Sequence, residues 1–357
     1  MRKTGTADLP LHYGRAPRWL FERMKLLARE IIISIVSDTG NEEFLRKISD
    51  PLWFQALGCV LGFDWHSSGL TTTVCGAIKE GIRGLERELG LFVAGGKGKV
   101  SLNTPSEILN WGEFIKADPT SLVYASKMSA KVDSAALQDG FELYHHSFIF
   151  SSTGKWAVVQ QGMNPSIRYA RRYHWIGEKV ESFVQEPHLA ICSDWKGRGL
   201  NMVARESEKT RWVCVELSQE HPRKIATQLK KIENLKLPPE HAFSIEKVRP
   251  RLLERALQTA YENSPQNFEE LLGLKGVGAK TIRALALISD LVYGATPSFK
   301  DPATYSFAHG GKDGHPYPVD RRTYDETISS LHKALKEAKV GRTEKIKALK
   351  RLREMLL

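Results

Sequence analysis

The stretch FELYHHSFIFSSTGKWAVVQQGMN, residues 141 to 164, decides the fold class of this chain. Two runs rich in aromatic and β-branched residues flank the turn signal SSTG, a pattern typical of a β-hairpin. Outward from it, LFVAGGKG at 91 to 98 and TRWVCVEL at 210 to 217 also have the composition of strands. Residues 18 to 49 and 70 to 89 carry apolar side chains at helical spacing. The sequence therefore predicts a mixed α/β amino-terminal domain over residues 1 to 220.

From residue 221 onward the chain becomes helical and basic. The predicted helices cover residues 223–235, 245–261, 267–272, 280–292, 320–339 and 343–356, with one long loop at 294–318. Of the 52 Lys and Arg and 41 Asp and Glu residues, 27 and 25 lie in residues 1–220, which leaves 25 and 16 for residues 221–357. We therefore predict an all-α carboxy-terminal domain over 221–357 whose expected binding partner is a polyanion.

The motif GLKGVGAK at 273 to 280 gives that partner a contact point. Gly276 and Gly278 flank one apolar residue, Val277, so the backbone can expose N–H groups while Val277 fixes the turn to the core. The following helix directs its amino terminus to the same place, which favours a phosphate. The pattern resembles the helix-hairpin-helix motif of DNA repair proteins, which binds the DNA backbone without reading sequence. This resemblance implies DNA contacts from Lys275, Gly276, Val277, Gly278, Lys280 and Thr281.

A Pro-Val-Asp sequence at 318 to 320 extends the resemblance to helix-hairpin-helix DNA glycosylases. It implies that the Lys280 amine attacks the deoxyribose C1′ and forms a Schiff base, while Asp320 stabilises the cationic sugar. Lys275 stands where that family has a proline, and no iron–sulfur cysteine cluster follows. In the simpler interpretation Lys280 binds a phosphate and Asp320 caps the next helix. Both interpretations stay open.

The β-hairpin carries its own reactive side chains. His145 and His146 lie in the first strand, and Gln160, Gln161 and Asn164 lie at the end of the second. Because side chains alternate along a strand, the two histidines face opposite sides of the sheet, and at most one belongs to a given pocket. The layout resembles the phospholipase D-like nucleases, in which a strand histidine attacks phosphorus without a metal. That resemblance also implies a homodimer, since a second histidine often comes from the partner.

Further polar residues could complete a site of either kind. Lys131, Asp133 and His66 are candidate catalytic helpers, although a lone aspartate before SAAL is also a common helix cap. If a metal is used, Asp133, Asp139 and Glu142 are the expected ligands of Mn²⁺ or Mg²⁺, whereas a histidine-dependent reaction needs no cofactor. Lys97 in AGGKGK and Arg171 and Arg172 in ARRYHW are candidate DNA contacts. AGGKGK lacks the closing Lys-Ser/Thr of a P-loop, so nucleotide hydrolysis is not expected.

Several motifs are together similar to a family of archaeal and bacterial proteins known as domain of unknown function 763; they are DWHSSGLTTT, AGGKGK, KMSAKVDSAALQDG, YHHSFIF, KWAVVQQGMN, ARRYHW, GVGAKT and SFAHGGKDGHPYPVDR. This resemblance implies a DNA-binding part joined to a domain with suspected nuclease activity. The expected function is a nuclease that cleaves phosphodiester bonds in single-stranded or structured DNA. The alternatives are a glycosylase with lyase activity and a non-catalytic DNA-binding protein.

Apolar runs, the first residues and the cysteines indicate the expected cellular location of the protein. No run of about eighteen apolar residues is present, so no membrane span is expected. The start MRKTGTADLP is basic but no apolar signal core follows it, which predicts a cytoplasmic protein. Four cysteines occur without any CxxC pair and are expected to be buried small apolar residues rather than zinc ligands or disulfides.

Overall fold

A five-stranded antiparallel sheet forms the centre of the molecule. The computed structural model describes residues 16–63, 67–193, 195–233, 250–303 and 321–354. The strands of the sheet have the order β1, β3, β4, β5, β6, and a separate pair joins β2 to β7. Their bounds are β1 Leu91–Lys97, β2 Leu137–Gln138, β3 Glu142–Ser151, β4 Trp156–Asn164, β5 Tyr169–Ile176, β6 Ala190–Cys192 and β7 Leu200–Asn201.

Helices precede, interrupt and follow the sheet. Their bounds are α1 Arg18–Thr39, α2 Asn41–Ser49, α3 Pro51–Leu61, α4 Gly69–Gly81, α5 Glu86–Leu89, α6 Thr104–Asn110, α7 Pro119–Lys131, α8 Glu208–Ser218, α9 Pro222–Glu233, α10 Pro250–Asn263, α11 Phe268–Gly273, α12 Ala279–Tyr293, α13 Arg321–Glu337 and α14 Arg342–Glu354. The fold is therefore mixed α/β, as predicted. Within the described ranges, no helix has both the length and the apolar character needed to cross a membrane.

Most predicted elements are confirmed, one is wrong, and the helix predicted over residues 70–89 is divided into α4 and α5. The strands β1, β3 and β4 lie where the sequence predicts them, and the six carboxy-terminal helices agree to within a few residues over their described parts. TRWVCVEL, predicted as a strand, is part of helix α8. Its buried residues, Thr210, Arg211, Cys214, Val215, Leu217 and Ser218, repeat at helical spacing. Packing against α12 therefore overrides the β-branched composition of this segment.

Two hydrophobic cores lie on opposite faces of the sheet. Phe148, Tyr173 and Trp175 of one face pack with apolar residues of α7, α8, α9, α11 and α12. Ile149, Val159 and Ile176 of the other face pack with α1 to α4 and with α13 and α14. The chain thus forms three layers, helices on sheet on helices. The four free cysteines are all buried, as predicted.

The helices after residue 220 are divided between the two helical layers. Helices α9, α11 and α12 contribute to the core that contains Phe148, whereas α13 and α14 pack on α1 and α3. Lys333 of α13 forms a salt bridge with Asp38 of α1, and Arg351 of α14 donates hydrogen bonds to the carbonyl of Val60. The domain boundary at residue 220 stays a prediction. The basic carboxy-terminal helices and the 273–280 motif nevertheless belong to different layers.

The strand register brings polar side chains to one end of the sheet. His146 lies opposite Gln160, which lies opposite Tyr173. On the other face, His145 lies opposite Gln161, which lies opposite Arg172. Because directly opposite residues point to the same face, each histidine has its own set of polar neighbours. The predicted separation of the two histidines is confirmed.

Candidate functional site

A tight turn at residues 274–278, called the glycine turn below, joins α11 to α12. The side chain of Asn267 caps α11 by accepting a hydrogen bond from the backbone N–H of Glu270 at 2.9 Å. Val277 is 1% exposed and its N–H donates to the carbonyl of Leu274 at 3.3 Å. Helix α12 begins at Ala279, so its first-turn N–H groups lie next to the turn. The buried valine fixes this backbone, as the sequence predicts.

The glycine turn presents its backbone outward. A Cβ atom added to Gly276 or Gly278 would meet nothing within 4 Å. Gly276 has φ of 89°, a left-handed conformation that favours glycine, whereas Gly278 has an extended φ of −148° that any residue adopts. Lys275 and Lys280 are exposed beside the turn, and Thr281 is buried in α12. An extended anion can therefore approach the backbone and two lysines together.

Lys131 holds the glycine turn from the side of α7. Its Nζ donates to the carbonyl of Leu274 at 3.2 Å and to that of Val277. Partial burial lowers the pKa of the Lys131 ammonium. Two carbonyl oxygens stabilise the charged form, so the amine acts as a clamp on the turn. The structure therefore places this predicted catalytic residue at the glycine turn and not beside the histidines.

His146 is part of a buried chain of hydrogen bonds, called the histidine network below. Its Nδ1 lies 2.8 Å from Oε1 of Gln160, and its Nε2 lies 2.9 Å from Oγ of Ser126. Nε2 of Gln160 donates to Oδ2 of Asp133 at 2.5 Å. Since the amide nitrogen of Gln160 faces Asp133, its oxygen accepts from Nδ1 of His146. The other ring nitrogen of His146 then accepts from the Ser126 hydroxyl.

Asp133 terminates the histidine network. Nε1 of Trp175 donates to its Oδ2 at 3.1 Å, and His188 bonds to its Oδ1. The residue lies in a π-helical turn, Val132–Ala136, that follows α7. Complete burial raises the pKa of Asp133, while His188 and Trp175 oppose that rise. Burial also lowers the pKa of His146 to about 4, so its imidazole is neutral at pH 7.

His145 lies on the other face and in a different environment. It is 1% exposed, and among the described residues neither of its ring nitrogens has a hydrogen-bond partner. Burial, together with His146 and Lys97, lowers the pKa of His145 to about 3. The amide nitrogen of the opposite residue, Gln161, donates to the carbonyl of Ser68 at 2.8 Å and to the Tyr144 hydroxyl. His66, a predicted neighbour, lies outside the described residues.

The predicted metal ligands have separate partners. Asp133 belongs to the histidine network, and Oδ2 of Asp139 accepts from Arg171 at 2.8 Å and from Tyr173 at 2.9 Å. Glu142 is exposed at the start of β3. Across the part of the chain that the structure describes, no three His, Cys, Asp or Glu residues are placed to hold a metal ion.

The side chains of Arg171 and Arg172 are fully buried and contribute to the interior of the fold. Arg171 bridges Asp139 and Asp301, and it lies 4.5 Å from the ring centroid of Phe141. Arg172 donates to His174 at 2.8 Å and to Gln55 at 3.0 Å. This burial does not fit the predicted contact of both arginines with a bound strand. ARRYHW lies in β5, and this strand has a helical layer on each face. Side chains on both faces of the strand are therefore buried.

Two further candidates, Asn164 and Lys97, lie at the rim of the sheet. Oδ1 of Asn164 accepts from the N–H groups of Ser166 and Ile167 and shapes the turn after β4. Lys97 is exposed at the end of β1. Gly95 of the same motif is tied to Glu107 and Lys79, so this part of AGGKGK is a packed turn. Asp320 lies outside the described residues, and Lys280 is exposed at the glycine turn.

Sequence reasoning missed Ser126, His188 and Trp175 in the histidine network. Ser126, Ser129 and Asp133 follow one another at spacings of three and four, which places them on one face of a helix. That polar stripe on an otherwise apolar face was the available signal for Ser126. His188 carries no comparable signal, since its segment lies between strands and only the fold brings it to Asp133.

Fold and site together define a mixed α/β protein that presents a glycine turn, beside two lysines, at its surface. A family model described as "Protein of unknown function (DUF763)" matches residues 5–319, and the chain belongs to this family. The family predicted from the sequence motifs is thereby confirmed. No curated protein and no solved structure matches the chain.

Proposed function

We propose that this protein binds the phosphodiester backbone of single-stranded or structured DNA through its glycine turn. The observation that carries the proposal is the outward backbone at Gly276 and Gly278, held by buried Val277 and flanked by exposed Lys275 and Lys280. Backbone N–H groups at a helix amino terminus and two ammonium groups are donors that suit phosphate oxygens. Such contacts position a strand but do not read its sequence.

The salt dependence of binding tests this proposal. A labelled 30-nucleotide strand would be titrated at 50 to 200 mM salt and followed by fluorescence anisotropy. Lys275→Ala and Lys280→Ala are each expected to weaken binding and to reduce the slope of log K against log salt by about 1. Lys347→Ala, which alters an exposed lysine in the opposite helical layer, serves as the control. Equal effects of all three substitutions would contradict a role for the glycine turn.

The variant Gly278→Ala provides a second and more specific test of the contact between the glycine turn and DNA. The extended φ of this residue and the open space around its Cβ position mean that alanine fits the folded protein. A methyl group there would still obstruct a phosphate that approaches the backbone. We expect several-fold weaker DNA binding with unchanged stability, and unchanged binding would overturn the proposed contact.

Cleavage of a DNA strand at the sheet is a second candidate function, and it is favoured by the environment of His145, on the face opposite the glycine turn. A buried imidazole without hydrogen-bond partners among the described residues carries a desolvation cost that functional sites commonly retain. Its lowered pKa keeps the imidazole neutral at pH 7, which is the form that acts as a nucleophile. His146 is less suited, because both of its ring nitrogens are engaged in the histidine network.

One gel separates the possible activities. Single-stranded, flap and damaged-base DNA would be incubated in EDTA or Mn²⁺ with wild type, His145→Asn and Lys280→Ala. Loss of nicking in His145→Asn alone would support cleavage at the sheet. Borohydride trapping of a covalent complex that Lys280→Ala abolishes would support a glycosylase with lyase activity instead. The exposure of Lys280 favours a phosphate contact over that chemistry, which needs a desolvated amine. Absence of any product would leave a DNA-binding protein.

A further inference from the structure

A cavity of about 570 Å³ opens at the amino-terminal end of α7, and aromatic side chains form part of its lining. Trp156 and Phe183 lie with their rings parallel to within 5° and their centroids 6.1 Å apart. Tyr124 of α7 meets Phe183 edge to face at 5.8 Å and is 46% exposed. A Cβ atom on Gly177 would lie 2.5 Å from the Trp156 indole, so this glycine lets the indole lie against the backbone. We call this site the aromatic cavity.

Exposed lysines surround the aromatic cavity. Lys116 lies two residues before Asp118 of the lining, Lys155 lies between Gly154 and Trp156, and Lys179 lies beside Val180. Lys127 is exposed one turn along α7 from Tyr124. Within the described residues none of these four lysines forms a salt bridge. Lys155 and Lys179 also lie near the carboxylate of Glu178, which Arg46 pairs. The basic rim suits a ligand that carries both negative charge and a flat ring.

Helix α7 links the aromatic cavity to the glycine turn. Tyr124 lines the cavity and Lys131 of the same helix holds the turn, which at about 1.5 Å per residue separates them by roughly 10 Å along the axis. The Tyr124 hydroxyl also donates to Glu269 of α11, at 2.5 Å. Both features therefore lie along one helix, within reach of a few nucleotides of one strand.

We propose that the aromatic cavity is a stacking site for an unpaired base of the DNA strand whose backbone the glycine turn holds. This inference rests on the proposed function and makes it more specific, because only an unpaired base can enter the cavity. Aromatic side chains combined with a basic rim are the usual means of binding single strands without sequence preference. Duplex DNA offers backbone to the glycine turn but no free base to the cavity, so the protein selects single-stranded DNA.

The test compares a labelled 15-nucleotide oligothymidylate with an abasic oligonucleotide of equal length, and with oligouridylate. Wild type is expected to bind oligothymidylate about tenfold more tightly than the abasic strand. Tyr124→Ala and Phe183→Ala should remove most of that preference, and Tyr124→Phe should keep it because the ring remains. Trp19→Ala, which removes a 63% exposed ring from α1 in the other layer, is the control. Preferential binding of oligouridylate would make RNA the ligand and overturn the assignment to DNA.

Failure of the stacking site can be told apart from failure of the proposed function. Equal binding of oligothymidylate and abasic strand, with loss of both in Lys275→Ala, would remove the stacking site and leave the backbone contact. Binding of neither strand by wild type would overturn both. Circular dichroism and urea unfolding identify any variant that fails to fold, and ultraviolet crosslinking of oligothymidylate to wild type then decides. Crosslinks at Tyr124, Trp156 or Phe183 would support the site, and crosslinks elsewhere would exclude it.

Discussion

Nδ1 of His146 and Oε1 of Gln160 lie 2.8 Å apart across the neighbouring strands β3 and β4. Through Gln160 the imidazole is connected to Asp133, a fully buried carboxyl group on the helical layer above the sheet. Each residue of the network is a hydrogen-bond partner of the next. Such a buried polar network is stabilising only while every residue keeps its partner. Gln160 therefore connects His146 to Asp133, and the hydrogen bonds of both residues depend on it.

Replacement of Gln160 should lower the free energy of unfolding of the protein substantially. Gln160→Leu keeps a similar volume but removes one hydrogen-bond partner each from His146, from Asp133 and from the carbonyl of Ser129. We expect a loss of about 3 kcal/mol in the free energy of unfolding, measured by urea denaturation, because three buried polar groups lose a hydrogen bond. Gln258→Leu, an exposed glutamine on α10, should change it by less than about 0.5 kcal/mol. Similar values for the two variants would contradict the network.

The buried histidines predict a loss of stability in mild acid. Burial lowers the pKa of His145 to about 3, against about 6.5 in the unfolded chain. Between these values the unfolded chain binds a proton that the folded chain does not, so the stabilisation is complete above pH 6.5 and declines as the pH falls towards 3. Each such histidine costs about 1.4 kcal/mol between pH 7.5 and 5.5.

His145→Gln measures this contribution directly. The free energy of unfolding of the variant should fall by about 1.4 kcal/mol less than that of wild type over the same interval of pH. Gln258→Leu, which changes an exposed residue that does not titrate, should leave the wild-type slope unaltered. The absolute stability of the variant does not enter the comparison, since only the two slopes are compared.

Local patterns in the sequence were enough for the β-hairpin and for most helices, because alternation and helical spacing are recorded in neighbouring residues. They also placed His145 and His146 on opposite faces. The partner of Lys131 could not be predicted this way, because the carbonyl of Val277 lies 146 residues away. Burial of Arg171 and Arg172 likewise depends on which layers cover β5. Residues 210–217 have the composition of a strand, but their buried positions repeat at helical spacing, and packing against α12 makes them part of α8.

Lys131→Met should loosen the glycine turn. The substitution keeps the length of the side chain but removes the ammonium that bonds the carbonyls of Leu274 and Val277. We expect a loss of about 1 to 2 kcal/mol in stability. We also expect faster amide hydrogen exchange at 274–278, since opening of the turn becomes easier. Lys127→Met, one turn earlier on α7, should affect neither quantity. Unchanged exchange in Lys131→Met would show that the turn holds its shape without the clamp.

Asp301→Ala should release the segment that Arg171 ties to the sheet. Asp301 accepts two hydrogen bonds from Arg171, at 2.9 and 3.0 Å, and one from the N–H of Gly197 at 2.6 Å. Asp139 remains as a partner of the buried guanidinium, so the expected loss is about 2 to 4 kcal/mol, below the full cost of an unpaired buried charge. Lys300→Ala, the adjacent substitution at a residue whose side chain is 78% exposed, should stay within about 0.5 kcal/mol of wild type. Urea unfolding of both variants decides the point, and a neutral Asp301→Ala would mean that Asp139 alone is enough to compensate Arg171.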